Sequence, residues 1–210
     1  MTLRGLLVTS LAILSVFVRP VATAKAPDAD GFLQQWMILE PIRVAGQLTD
    51  GAVQTLVKTT YFPDQLTVMP RNGDTVKAGD ADLVWHLVET DRYNVNLYHF
   101  ASGLKKPTSN VLFWIVTVVD APREMSGVRL AVGSNAASVW WVNGAEVIGI
   151  YNDRQTVIDD GVSKRLALKK GANVIRAAVV NAGGATDFCA RFLDAEDRPI
   201  RGIAVSLPPS

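Results

Sequence analysis

The sequence predicts an all-β protein, an antiparallel β-sandwich of jelly-roll type preceded by a signal peptide. Three observations carry this. Runs of about 5–8 residues rich in Val, Ile, Thr and aromatics recur along the chain, bounded by Gly, Asn, Asp and Pro. Asn143-Gly144 sits between two such runs and suits a type I′ hairpin turn, which needs positive φ at both central positions. Beyond the N-terminal segment, no long window keeps the 3.6-residue apolar spacing of a helix.

Taken in order, the first 24 residues read as a signal peptide. Arg4 supplies the positive start, residues 5–18 the apolar stretch, and Ala22-Thr23-Ala24 the small-x-small cleavage site. The alternative, a membrane anchor, needs about 20 apolar residues, and Arg19-Pro20 closes the run early. Residues 25–31 (KAPDADG) read as a flexible lead-in. Residues 32–210 then form a single β-sandwich domain with no repeat and no linker. Strands are expected at 35–39, 52–59, 81–89, 94–99, 111–119, 127–134, 138–142, 145–151, 163–168, 172–181, 187–193 and 204–207. Residues 112–119 are apolar throughout except for Thr117, as in a strand covered on both faces or at a sheet centre. Gly171 in Lys169-Lys170-Gly171 is placed for a left-handed turn. Whether residues 46–79 join the sandwich or lie over one face is open at this level.

The 210 residues are nearly half hydrophobic, enough for a real core, and the net charge is +1. Loss of Arg4 and Arg19 with the signal brings Lys plus Arg from 21 to 19 against 20 acids, about −1. No basic excess exists to meet phosphates, so nucleic acid is not expected as a partner. The mature chain is expected to carry no membrane span. The single cysteine, Cys189, permits no intramolecular disulfide and reads as a buried thiol.

At the hairpin the residues become recognisable. Residues 133–147 (GSNAASVWWVNGAEV) resemble a segment of galactose-binding-like β-sandwich domains, the carbohydrate-binding-module-like domains of secreted bacterial proteins. The runs LALKKGANVIRAAVV (166–180), DFCARFLDAEDRP (187–199) and FLQQWMILEPI (32–42) are similar to its later and opening segments. The resemblance covers most of residues 32–207. It implies a jelly roll that binds carbohydrate or serves as a noncatalytic or structural part. Two positions depart from the pattern. Asn135-Ala136-Ala137 stands where the family has acids and glycine, and Glu40 replaces the glycine before Pro41.

Catalytic signals are sparse. His86 and His99 are the only histidines and show no metal-ligand spacing, so both read as structural. No Gly-x-Ser-x-Gly elbow is present. A pair of carboxylates for glycoside hydrolysis can be neither assigned nor excluded. Ligand-binding residues are expected among the aromatics and polar loops. In Trp140-Trp141 the rings must point to opposite faces. Trp140 reads as core-facing, and Trp141 as outward or under whatever covers that face. Trp141, Tyr151, Asn152, Asp153 and Arg154 form the candidate binding set, offering a ring, an amide, a carboxylate and a guanidinium for sugar hydroxyls. Asp91-Arg92-Tyr93-Asn94 is a second cluster of the same kind. Each cluster also reads as an ordinary polar turn, and Trp141 as packing. No cofactor is implied. A structural calcium held by Asp159 and Asp160 is an option without commitment.

The sequence therefore points to an exported, periplasmic or extracellular, non-catalytic binding module, with carbohydrate or a protein as partner. The alternatives are an assembly subunit of an extracytoplasmic complex, using an apolar surface near Phe62 and Leu66, and a hydrolase with an unrecognised site.

Overall fold

The computed structural model describes residues 24–44, 49–152 and 154–208. Residues 1–23, which hold nearly all of the expected signal peptide, lie outside the described residues, as does Asp153 of the candidate set. In chain order the elements are β1 (Gln35–Leu39), β2 (Ile42–Arg43), α1 (Asp50–Lys58), β3 (Thr75–Ala78), β4 (Ala81–Glu89), β5 (Val95–Asn96), α2 (Leu97–Gly103) and β6 (Val111–Ala121). They continue with β7 (Met125–Ser134), β8 (Ala137–Val142), β9 (Ala145–Ile150), β10 (Gly161–Val162), β11 (Leu166–Leu168), β12 (Gly171–Asn181), β13 (Asp187–Leu193) and β14 (Ala204–Val205).

These strands make two antiparallel sheets. The larger runs β3-β4-β1-β6-β12-β8-β9, with β2 and β14 also pairing β6. The smaller runs β10-β7-β13-β5, with β11 on β7. Side-chain alternation sends Trp36 and Trp140 of the large sheet and Phe188 of the small one into the space between them. Their rings meet edge-on, Trp36 with Phe188 at 5.1 Å and Trp140 with Phe188 at 5.5 Å. Each such pair contributes about 0.5–1.5 kcal/mol beyond the area it buries. Trp140 is core-facing, as its alternation with Val142 requires.

The other face of the large sheet carries a second aromatic core. Phe62 sits between Trp85 and Trp114, 6.3 Å from each, and Trp141 stacks on Trp114 at 5.5 Å. The segment from α1 to Pro70 covers this face, and the buried Arg176 of β12 donates to the Val68 carbonyl beneath it (2.7 Å). This explains why β6 is apolar on both faces. It also divides the region left open by the sequence: α1 and the following loop are a cover, and β3 extends the sheet edge. Phe62 is buried, so it contributes no exposed patch with Leu66.

Two expected strands are helices. At residues 52–59, Val53, Leu56 and Val57 have i, i+3, i+4 spacing, and the Thr49 hydroxyl caps the first turn by accepting from the Ala52 N–H. Val53 and Val57 then both face the sheet. At residues 94–99, β5 lasts only two residues before the Asn96 side chain accepts from the His99 N–H (2.7 Å) and starts α2. Leu97 and Ala101, one helical turn apart, are buried. The expected strand 163–168 is shortened to β11, because the Ser163 hydroxyl accepts from the Leu130 N–H and donates to the Lys164 carbonyl. The short strands β2 and β3 carry no sequence signal strong enough to be expected.

The motifs behind the resemblance interlock. Asn143 and Gly144 have φ of 51° and 85°, as a type I′ turn demands. Asn143 accepts from the Val174 N–H (3.0 Å) and donates to Asn173 Oδ1 (2.9 Å). Asn173, fully buried, in turn donates to the Lys169 and Gly171 carbonyls. The Asn-Gly hairpin and the Lys-Gly-x-Asn turn are thus one hydrogen-bonded unit.

Residues 25–31, read from sequence as a flexible lead-in, are pinned on the sandwich. Lys25 and Val205 exchange backbone hydrogen bonds, and Asp28 caps the turn to Phe32. Glu40, the departure before Pro41, is buried between Lys106 Nζ at 2.9 Å and His86 Nε2 at 3.5 Å. No helix among the described residues is long and apolar enough to cross a membrane.

Candidate functional site

Four connections meet at one end of the sandwich and line an open cleft of about 600 Å³. The β4–β5 loop brings Tyr93, the β7–β8 turn brings Asn135, and the β9–β10 loop brings Arg154 and Thr156. The β12–β13 loop brings Gly183 and Gly184 and leads into Asp187. Gly184 has φ of +82°, a left-handed turn conformation that residues with side chains rarely adopt.

Asp187 lines the cleft and gathers hydrogen bonds with three of the surrounding segments. Its Oδ2 accepts from Asn94 Nδ2 at 2.6 Å, and its Oδ1 accepts from the Thr156 hydroxyl. Its backbone N–H donates to Asn135 Oδ1 at 2.9 Å. Two neutral donors therefore fix the carboxylate while leaving lone pairs for further donors. No cation pairs with Asp187 among the described residues, because Arg154 is ion-paired with Asp160. Tyr93, 43% exposed, forms the aromatic wall, and its ring is backed by Phe32 at 5.7 Å. A carboxylate, amides, a hydroxyl and a guanidinium beside a half-exposed ring can bind a polyhydroxylated ligand with one apolar face.

Of the five residues expected from sequence, Tyr151, Asn152 and Arg154 line one depression and Trp141 lies apart from them. Arg154 reaches the cleft. Trp141 does not: it is only 8% exposed, lying on the covered face. It floors a separate groove of about 440 Å³ with Val57, Leu66 and Glu146 among its walls. Trp141 is thus packed on Trp114 and mostly covered, and it reaches only this groove. Tyr151 and Asn152 line a third depression of about 640 Å³ together with Arg154, Asp160 and Lys164, so Arg154 stands between this depression and the Asp187 cleft. The Tyr151 ring lies over Gly149, and burial together with the neighbouring Glu146 carboxylate pushes its phenol above the ordinary value. Asp153 lies outside the described residues. Sequence reasoning missed Asn135, Thr156 and Asp187. A signal was present in the Asp91–Asn94 cluster, and the Asn135 turn stood out as a departure from the family pattern, but nothing in the sequence showed that they meet.

Other groups are accounted for. Asp159 is held by Arg191 and Asp160 by Arg154, so both acids considered for calcium face guanidinium groups. Among the described residues no group of three or more His, Cys, Asp or Glu is arranged to hold a metal ion. Cys189 is buried, and burial pushes its thiol up to about 11.

No protein-family model matches the chain, and no curated protein matches it in sequence. Solved structures resemble it in fold. A PA14 sugar-binding domain from an RTX adhesin aligns over 84% of this chain and 100% of its own length, with 11% identity and a TM-score of 0.50. The two share a β-sandwich fold. The PA14 domain of the MpAFP antifreeze protein aligns over 81% of this chain and 89% of its own, with 13% identity and a TM-score of 0.46. An anti-sigma factor domain-containing protein aligns over 59% of this chain, with 10% identity and a TM-score of 0.46, and this chain spans 42% of its length.

Proposed function

We propose that the protein is an exported, non-catalytic carbohydrate-binding module whose ligand sits in the Asp187 cleft. The observation that carries this reading is the Asp187 carboxylate, oriented by Asn94 and Thr156 and lining the same cleft as the half-exposed Tyr93 ring. A sugar offers adjacent hydroxyls that donate to one carboxylate, and a C–H face that packs on an aromatic ring. The cleft volume lies within the range of roughly 300–1,000 Å³ typical of small-ligand sites. The finer family reading, a galactose-binding-like module, rests on the interlocked Asn-Gly hairpin and Lys-Gly-x-Asn turn.

A glycan array probed with residues 25–210, followed by calorimetric titration of each hit, tests the proposal. Saturable binding that Asp187→Ala and Tyr93→Ala each weaken in a folded protein is the expected result. A folded chain that binds no glycan would overturn it and turn the search to protein partners.

A further inference from the structure

Arg191 stands outside the cleft, on the outer face of β13, yet it ties together the segments that build it. Its Nε and Nη2 fork onto the Asp159 carboxylate, with Nε at 2.9 Å from Oδ1. Its Nη1 donates to the Asp30 carbonyl at 2.9 Å. Its guanidinium lies 4.7 Å over the Phe32 ring, and Phe32 is the residue that backs Tyr93. Asp159 sits in the β9–β10 loop, three residues after Thr156 and five after Arg154, with φ of 57°. That loop lies tightly on the sheet, because a Cβ at Gly133 would collide with the Val157 carbonyl.

A two-pronged guanidinium–carboxylate pair fixes direction as well as distance, which a lysine cannot do. The fork is mostly sheltered, with side-chain exposures of 15% for Arg191 and 25% for Asp159. Both walls of the cleft therefore share one side chain as a tether, beside the Lys25–Val205 and Leu33–Ala190 backbone bonds on one side and the Arg154 N–H to Asn135 carbonyl bond on the other. Through Asp159 it holds the loop that presents Arg154 and Thr156. Through Phe32 and Asp30 it holds the N-terminal segment that supports Tyr93.

We infer that Arg191 is a positioning residue for the cleft, a latch that joins the lead-in at Asp30–Phe32 to the β9–β10 loop and so sets the Thr156–Asp187–Asn94 geometry. This rests on the proposed binding reading for its purpose, but the latch itself is measurable without a ligand.

The test is hydrogen exchange across residues 151–160, with the NMR signal of the Asn94 side-chain amide as a second reporter. Arg191→Ala, Arg191→Lys and Asp159→Asn are compared with Arg198→Ala, which removes ion pairs at an exposed turn (Arg198 with Asp194 and Glu196). Exchange in the loop is expected to rise roughly tenfold or more in the first three, with core strands still protected. The Asn94 amide signal should shift in the same three and stay fixed in Arg198→Ala. Arg191→Lys should resemble Arg191→Ala, because the fork rather than the charge does the positioning. Should Arg191→Ala fail to fold, Asp159→Asn and Arg191→Lys carry the test.

Titration with lactose, maltose and cellobiose adds the functional arm. A probe that binds wild type should lose about tenfold in affinity in the latch variants. Unchanged exchange and an unmoved Asn94 signal would overturn the latch. A mobile loop with undiminished affinity would overturn the positioning role. A mobile loop and a shifted Asn94 signal, with no probe bound by wild type, would uphold the latch and count against these sugars as ligands of the cleft.

Discussion

Gly133→Ala separates close packing from backbone preference. Gly133 does not occupy a left-handed conformation, so alanine is allowed there by φ alone. The obstacle is space. A Cβ would overlap the Val157 carbonyl and stand 3.0 Å from Cys189 Sγ. The first neighbour is backbone, so relief requires the β9–β10 loop to lift from the small sheet. Overpacking of this kind costs about 1–3 kcal/mol, and a backbone obstacle places it toward the top, about 2–3 kcal/mol. For a domain of this size that lowers Tm by about 4–12 °C. Gly51→Ala is the matched control. It lies in α1 with no atom within 4 Å of the new Cβ, so it should stabilise by about 0.5–1 kcal/mol. Urea and thermal unfolding of both variants provide the assay. An unchanged Tm in Gly133→Ala would show that the loop does not rest on the sheet, and would remove the basis for placing Arg154 and Thr156 at the cleft.

Phe62→Ala removes the ring wedged between Trp85 and Trp114 and should cost about 3–5 kcal/mol in urea unfolding, with increased proteolysis of the covering segment. The raised Cys189 thiol gives stability that is full below the unfolded value near 9 and is lost as pH rises through about 11. Cys189→Ala should therefore flatten the alkaline limb of a stability–pH curve, and the native thiol should resist labelling at pH 8. For Glu40, burial alone would raise the carboxyl, but Lys106, the Val84 N–H and His86 together hold it below its ordinary 4.5. Its contribution is present above that value and fades as pH falls through the lower folded value. Lys106→Met should cost about 1–3 kcal/mol at neutral pH and move acid unfolding to higher pH.

Much of the sandwich was legible because its strands obey local rules. The Trp140-Trp141 alternation, the Asn143-Gly144 turn and the doubly covered β6 each follow from period-2 patterning and turn chemistry. The errors fell where a short apolar run fits either period. Residues 52–59 read as a strand because Val and Thr dominate, and the deciding Thr49 cap lies outside the run. Residues 94–99 hide an Asn96 cap within an aromatic stretch. The cleft was half-legible. Tyr93-Asn94 and Arg154 stood out as polar clusters, but Asp187 looked like the start of an ordinary strand. Its role comes from loops that meet only after the sheets pack, a long-range fact that sequence spacing does not encode. Trp141 drew attention as a ring either outward or under a cover, and the sequence left open whether residues 46–79 supply that cover.

The proposed ligand site holds Asp187 and not Trp141. Calorimetric titration of the best-binding disaccharide against wild type, Asp187→Ala and Trp141→Phe tests it directly. A hydrogen bond to a charged group contributes about 1.5–3 kcal/mol, so Asp187→Ala should weaken binding by at least about tenfold. Trp141→Phe, which keeps an aromatic ring against Trp114, should leave affinity within about twofold of wild type. The reverse pattern, with Trp141→Phe weakened and Asp187→Ala unaffected, would contradict the account and place the ligand in the groove beneath the covering segment.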